Sequence, residues 1–98
     1  MSSKPKFRLS PLAEADLEGI WLYTFEQWSQ EQADGYFRDI VSAITALADG
    51  RKVGLQTNVR EGYWKYKIGV HIVFYRYTDC YLDVIRILHE RMDLDSHL

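Results

Sequence analysis

Two stretches before residue 50 repeat apolar residues at the spacing of one helix face. The more regular stretch follows Ser29, which forms a candidate capping box with Gln32, and it stops before Gly50, a candidate C-terminal cap. We therefore predict a helix between Ser29 and Gly50. Its apolar face consists of Ala33, Tyr36, Phe37, Ile40, Val41, Ile44, Leu47 and Ala48.

The earlier stretch predicts a first helix that begins at Ser10 and Pro11, because serine is a favoured N-cap and proline suits the first helical position. One stripe of this helix is made of Ala13, Leu17, Ile20, Trp21, Thr24 and Trp28. Leu22 and Phe25 fall outside that stripe, so the apolar band is wider than one packing surface requires. We expect Trp21 to join the core, and we expect Leu22 and Phe25 to belong either to the core or to a partner surface. The short join between the two helices predicts an antiparallel hairpin.

The second half of the chain has the pattern of strands rather than helices. Residues 6–9 already form a short alternating segment, whereas residues 51–61 show no period and are predicted to form a loop. Three further strands are predicted at residues 63–67, 70–77 and 81–89. A tight turn at Gly69 joins the first two of these, because glycine can adopt a positive φ.

These elements predict an α+β fold, with an antiparallel sheet (β-α-α-β-β-β along the chain) and an N-terminal helix hairpin packed against it. A chain of 98 residues is long enough for one hydrophobic core and too short for two. Residues 1–98 are therefore expected to form one domain.

Charge and cysteine content narrow the classes of function. The net charge of −2 provides no strong field toward nucleic acid or an anionic membrane, although residues 1–49 carry −4 and residues 50–98 carry +2. Cys80 is the only cysteine, which fits a reducing cytoplasm. No segment has the length and apolar character of a membrane helix, and residues 1–6 lack the apolar core of a signal peptide. We expect a cytoplasmic protein without membrane contact and without sequence-specific binding to nucleic acid.

The chain offers little cofactor chemistry. It has no glycine-rich phosphate loop, no HExxH or GxSxG motif and no carboxylate cluster at metal spacing. A metal site would need two of His71, His89 and His97 to converge with a carboxylate, and nothing in the sequence supports such convergence. We expect no cofactor and no metal.

Basic side chains in the second half are the remaining candidates for chemistry. Cations around a scissile phosphate would stabilise its charged transition state, but the same residues are also ordinary polar positions of a sheet. Arg86 differs because it interrupts an apolar strand, and a buried arginine needs a partner such as Asp83, Asp93 or Asp95. The full set is Arg60, Lys65, Lys67, Arg76, Arg86, His89 and Arg91.

The segments of this chain resemble the ParE branch of the RelE/ParE toxin superfamily. The resemblance spans nearly the whole chain, and it is most specific in the hairpin "YKIGVHIVFYR" and the ending "VIRILHERMDLDSHL". The helical segments "LSPLAEADLEGIWLYT" and "QADGYFRDIVSAITALA" add to it. It implies the toxin of a type II toxin-antitoxin system, which binds and poisons DNA gyrase and is neutralised by a ParD-like antitoxin. Such an antitoxin wraps the toxin with a flexible C-terminal segment, partly in the groove between helix hairpin and sheet.

Two other functions remain open. The RelE branch cuts messenger RNA on the ribosome with basic side chains and a C-terminal acid or base, often tyrosine. This chain has no tyrosine after Tyr81, although His89 is able to act as a general acid. The third function is that of a non-toxic protein-interaction domain, and an antitoxin-like neighbouring gene would argue against it.

We expect two separate surfaces and no catalytic residue. The antitoxin-binding residues are expected to be Leu22, Phe25 and Trp28, because their apolar side chains widen the band of the first helix. The target-binding residues are expected to lie in the basic half and at the family-like ending. They are Arg60, Arg86, His89, Arg91 and Met92.

Overall fold

Two helices form the hairpin that the apolar spacing predicts. The computed structural model describes residues 6–58 and 60–92, with α1 at Pro11–Gln27 and α2 at Gln30–Ala48. Each helix has its predicted serine N-cap: the Ser10 hydroxyl oxygen accepts from the Ala13 N–H at 3.0 Å, and the Ser29 hydroxyl oxygen accepts from the Gln32 N–H at 3.1 Å. Among the described residues, no helix has both the length and the apolar character needed to cross a membrane.

The helices pack on a five-stranded mixed sheet, so the predicted α+β class is confirmed. The strand order is β1-β5-β4-β3-β2, and β1 runs parallel to β5 while all other pairs are antiparallel. The sheet is therefore not purely antiparallel, because the hairpin returns the chain so that its first strand lies beside its last. The strands are β1 (Phe7–Leu9), β2 (Leu55–Gln56), β3 (Trp64–Ile68), β4 (His71–Tyr77) and β5 (Leu82–His89).

Strand β2 lies inside the segment that was predicted to be a loop. It has two residues, which is too short for an alternating pattern to be visible in the sequence. Gly54, which precedes it, donates its N–H to the Tyr75 hydroxyl at 3.0 Å, and a β-carbon at Gly54 would collide with the Lys65 carbonyl oxygen. The close approach of two backbones therefore explains both the glycine and the strand.

The main core lies between the hairpin and one face of the sheet. On β4, Val73 and Tyr75 belong to this core, whereas Ile72 and Phe74 alternate with them and form a second, smaller cluster with Leu88. The main core consists of Ala13, Leu17, Ile40, Ile44, Leu47, Val73, Tyr75, Leu82, Val84 and Ile87.

Helix α1 covers the part of β5 that β1 leaves without a neighbour. Pairing between β1 and β5 ends at Leu9 and Val84. Beyond that point the Ser10 hydroxyl donates to the Ile85 carbonyl at 2.7 Å, and an Asp16 carboxylate oxygen accepts from the Ile87 N–H at 2.9 Å. The N-cap Ser10 and Asp16 of α1 thus satisfy backbone groups of an open strand edge.

Asp16 also forms a two-point ion pair with Arg86. The Arg86 Nε and Nη2 donate to its two carboxylate oxygens, each at 2.8 Å, and both side chains are only 14% exposed. Of the partners expected from the sequence, Asp83 was wrong, since it pairs with Arg8. Asp93 and Asp95 lie outside the described part of the chain. Asp16 was missed because its proximity to Arg86 depends on how α1 crosses the sheet.

Tyr36 joins α2 to the turn between β3 and β4. Its hydroxyl lies 3.0 Å from the Ile68 carbonyl oxygen and 2.7 Å from His71 Nδ1, and it accepts from the Val70 N–H at 3.3 Å. Gly69 has the predicted positive φ, +58°, and a β-carbon there would lie 2.6 Å from the Tyr36 hydroxyl. Glycine at this turn is therefore required both by the backbone conformation and by the tyrosine above it.

His71 is half-buried beside Tyr36, directly opposite His89 in the register of β4 and β5. The two imidazole rings are 5.5 Å apart and nearly perpendicular. The sequence showed no reason for these histidines to meet, but the strand register brings them together. Burial, assisted by the nearby His89, lowers the pKa of His71, while Glu90 opposes the shift.

Replacing Asp16 is expected to destabilise the fold more than replacing an aspartate whose basic partner is exposed. Asp16→Asn removes a counter-charge of a largely buried guanidinium, so the free energy of unfolding should fall by about 2 to 3 kcal/mol. The matched control is Asp83→Asn, whose partner Arg8 is 55% exposed, and here the loss should be about 1 kcal/mol or less. Urea unfolding measures both, and equal losses would contradict the structural role of Asp16.

His71 is expected to make the protein less stable as the pH falls. The native pKa of His71 is below its ordinary value, so on acidification the unfolded chain takes up a proton that the native state resists. Stability contributed by neutral His71 is therefore present above about pH 6.5 and is lost between about pH 6.5 and the lowered native pKa. Urea unfolding from about pH 7.5 to about pH 5.5 should show a steeper fall for the wild type than for His71→Gln. Parallel curves would refute the assignment.

Candidate functional site

Three apolar side chains on one side of α1 and at its C-terminal end are exposed. Leu22 is 51% exposed, Phe25 is 43% exposed and Trp28, which follows the last residue of the helix, is 71% exposed. They recur every three residues, so they form one continuous patch on the outer side of α1. We call Leu22, Phe25 and Trp28 the α1 patch. The wide apolar band of this helix thus consists of one buried face and one exposed face.

Trp21 connects the α1 patch to α2. Its indole ring stacks on Phe25, with ring centroids 5.3 Å apart and planes within 5° of parallel. Its Nε1–H donates to an Asp34 carboxylate oxygen at 2.9 Å. Trp21 was expected in the core, but it is only partly buried and lies outside the core cluster. The packing of α2 decides this, because it places a hydrogen-bond acceptor beside the ring.

Next to Trp21 a groove of about 610 Å³ runs between the two helices. Its apolar lining comes from Leu17 and Trp21 on α1, Phe37 on α2 and Leu9 at the end of β1. Its charged lining consists of Glu14, Glu18, Asp34 and Arg38. We call this feature the hairpin groove. The sequence predicted the two helices that form the walls of this groove, but it did not predict the space between them.

The α1 patch and the hairpin groove are continuous, because the Trp21 and Phe25 rings that stack on each other belong to one feature each. Together they combine aromatic rings, aliphatic side chains and carboxylates on one side of the molecule. Aromatic side chains are enriched in surfaces that bind other proteins, and helix grooves are one way in which proteins recognise peptide segments.

The five residues expected to contact the target do not lie together. His89 ends β5, and Arg91 and Met92 follow it: the Met92 N–H donates to the His89 carbonyl at 2.8 Å, and the Arg91 N–H donates to His89 Nδ1 at 3.1 Å. Arg60 precedes β3 and lies toward the opposite end of the sheet, since Trp64 pairs with Tyr75 whereas His71 pairs with His89. Arg86 is held by Asp16.

The end of the sheet at His89 also contains Lys67, which belongs to the basic set named from the sequence, and Glu90, which does not. Lys67 and Glu90 form an ion pair at 2.8 Å, and hydrogen bonding to Lys67 lowers the pKa of Glu90. The Arg91 N–H donates to His89 Nδ1, so in neutral His89 the ring proton resides on Nε2. We call His89, Arg91 and Met92 the β5 end. The ion pair between Lys67 and Glu90 was missed because the two residues come from distant segments of the chain.

Comparison with known proteins agrees with this architecture. A family model described as the ParE toxin of type II toxin-antitoxin systems, parDE, matches residues 7–94. Toxin ParE1 of Mycobacterium tuberculosis is 42% identical over 100 residues, and the match covers both chains completely. Toxin ParE1 of Caulobacter vibrioides is 39% identical over 93 residues, covering 94% of this chain and 96% of the relative.

Two solved structures share the fold at low sequence identity. A chain of the chromosomal ParDE TA system from P. aeruginosa superposes with a TM-score of 0.75 at 20% identity, covering 90% of this chain and 98% of that one. A chain of the toxin-antitoxin complex RelBE2 from Mycobacterium tuberculosis superposes with a TM-score of 0.52 at 20% identity, covering 89% and 99%. From the family match and the full-length relatives, we conclude that this chain belongs to the ParE toxin family of type II toxin-antitoxin systems.

Proposed function

We propose that this protein inhibits DNA gyrase in the bacterial cytoplasm and is held inactive by a ParD-like antitoxin that binds the α1 patch. The observation that supports the antitoxin site is the exposed apolar surface of α1, where Leu22, Phe25 and Trp28 adjoin the hairpin groove. Membership of the ParE family supports the target, and the ParDE system that shares this fold supports the kind of partner.

An antitoxin segment would find most of its binding energy on the α1 patch. Aromatic and aliphatic side chains that are exposed in the free protein become buried when a partner covers them, which is the main favourable contribution to association. A flexible segment is well suited to the site because the patch and groove follow the long direction of a helix hairpin.

The proposed action on gyrase is by binding, with no reaction catalysed by this chain. We propose that the target contact includes the β5 end. There the Arg91 guanidinium lies close in the chain to the side chains of His89 and Met92. Arg60 and Arg86 belong to the same proposal. A contact that includes all five residues would extend along the sheet.

One observation favours a second candidate function, that of a ribosome-dependent ribonuclease. His71 and His89 face each other at a sheet end that also contains Lys67 and Arg91. Two imidazoles beside cations are a set of groups with which proteins move protons during phosphodiester cleavage. The ParE family membership makes gyrase inhibition the better supported proposal.

Charged substitutions in the α1 patch are expected to weaken antitoxin binding. Leu22→Asp together with Phe25→Asp removes two apolar contacts, so Kd for the protein encoded by the adjacent antitoxin-like gene should rise by about thirtyfold or more. Isothermal titration calorimetry measures this. The matched control is Leu12→Asp with Tyr23→Asp, two exposed apolar residues on another side of α1, which should bind like the wild type. Equal losses in both variants would exclude the α1 patch as the specific site.

The antitoxin-free protein is expected to inhibit gyrase supercoiling without cutting messenger RNA on ribosomes. Arg91→Ala with Met92→Ala should weaken the inhibition by about tenfold, because two exposed side chains of the β5 end are lost. Arg51→Ala with Val53→Ala removes the same kinds of exposed side chain elsewhere and should leave the inhibition unchanged. Arg60→Ala shows whether the contact reaches the other end of the sheet. Cleaved RNA with normal supercoiling would replace the gyrase proposal by the ribonuclease.

A further inference from the structure

The helix hairpin is strongly acidic. Between residues 11 and 48 there are seven acidic residues and one basic residue, which gives a net charge of −6. Helix α1 has no lysine or arginine at all. Among the carboxylates of α1, Asp16 accepts hydrogen bonds from Arg86 and from the Ile87 N–H. The remaining carboxylates therefore determine the charge of the outer surface of the helix. The acidic residues are Glu14, Asp16, Glu18, Glu26, Glu31, Asp34 and Asp39.

Two of these carboxylates border the hairpin groove on its α1 side. Glu14 and Glu18 are exposed, and they are four residues apart, so they lie on the same face of the helix as successive turns. Leu17 and Trp21 lie beside them in the same groove. Two like charges at this spacing repel each other in the free protein, and a cation placed between them would relieve that repulsion.

We propose that the antitoxin segment in the hairpin groove is cationic and amphipathic. It places an apolar side chain against Trp21 and Phe37, and it places a lysine or arginine between Glu14 and Glu18. This inference rests on the proposed function, since it specifies the chemistry of the partner that binds there. Arg38 on the opposite wall sets the orientation, because the cationic side chain is favoured on the α1 side.

The charge of the hairpin argues against other occupants of the groove. A second copy of this chain would bring another hairpin of net charge −6 against the first. Nucleic acid and anionic lipid surfaces would be repelled for the same reason. A basic segment is attracted to the acidic hairpin from a distance. The desolvation penalty of its charges on burial is partly offset, because each cation pairs with a carboxylate of the groove.

The test compares two pairs of exposed carboxylates that carry the same charge at different positions. Glu14→Gln with Glu18→Gln removes the charges at the groove. Glu61→Gln with Asp79→Asn removes two exposed charges from loops of the sheet. Each variant is titrated calorimetrically with the purified protein encoded by the adjacent antitoxin-like gene, at about 50 mM and about 500 mM salt. Circular dichroism confirms that both variants remain folded.

The groove variant should bind about tenfold more weakly than the wild type at the lower salt concentration. This difference should largely disappear at the higher one, where screening removes the contribution of exposed pairs. The loop variant should bind with the same affinity as the wild type at both salt concentrations. Charge reversal adds a second readout: Glu18→Lys should weaken binding further, and exchanging the opposing lysine or arginine of the antitoxin for glutamate should restore part of it.

The outcomes separate this inference from the proposed function. If the groove variant binds like the wild type while Leu22→Asp with Phe25→Asp binds weakly, the antitoxin site stands and the cationic contact is wrong. Equal weakening of the groove and loop variants also overturns the inference, because only the overall charge then matters. If the wild-type protein does not bind the adjacent gene product at all, the proposed function fails and the inference fails with it.

Discussion

The contact between Asp16 and β5 orients the rest of the molecule. β1 covers only the first part of β5, and the remaining edge would expose backbone groups if no other element reached it. Asp16 satisfies the Ile87 N–H and the Arg86 guanidinium with one carboxylate, and Ser10 takes the Ile85 carbonyl. Because Ser10 caps α1 and Asp16 lies on it, the rotation of this helix about its axis is set by the strand edge.

That rotation decides which side chains of α1 are buried. With Asp16 on β5, Ala13 and Leu17 face the core, and Leu22, Phe25 and Trp28 are left in solvent. The α1 patch is therefore a consequence of how the helix is docked, and its apolar residues contribute little to the fold itself. Residues that the core does not need are free to serve a partner, which agrees with the antitoxin role proposed for them.

Acidic and basic side chains of the molecule lie on two different surfaces. The acidic hairpin and its groove lie on the helical side, whereas the β5 end presents His89 and Arg91 where the strands end. Tyr36 links the two regions, since it lies on α2 and its hydroxyl contacts the turn and the histidine opposite His89. An antitoxin on the hairpin and a target at the β5 end would thus bind surfaces of different charge on one small protein.

Features that depend on neighbours a few residues apart could be read from the sequence. The helix starts at Ser10 and Ser29, the glycine turn at Gly69 and the overwide apolar band of α1 all follow from capping, backbone sterics and side-chain spacing. The family resemblance added the fold and the class of system, which the family match then confirmed.

Features that depend on packing between distant segments could not. Asp16 and Arg86 are separated by 70 positions in the chain, and their pairing requires the crossing of α1 over an open strand edge. The meeting of His71 with His89, the partial exposure of Trp21 and the gap that forms the hairpin groove likewise depend on strand register and helix packing. The sequence by itself therefore determined the main secondary-structure elements and the overwide apolar band of α1. Only the tertiary structure decided which part of that band is exposed and which charges surround it. The reason is that these contacts join distant segments, and no local sequence pattern specifies how such segments pack.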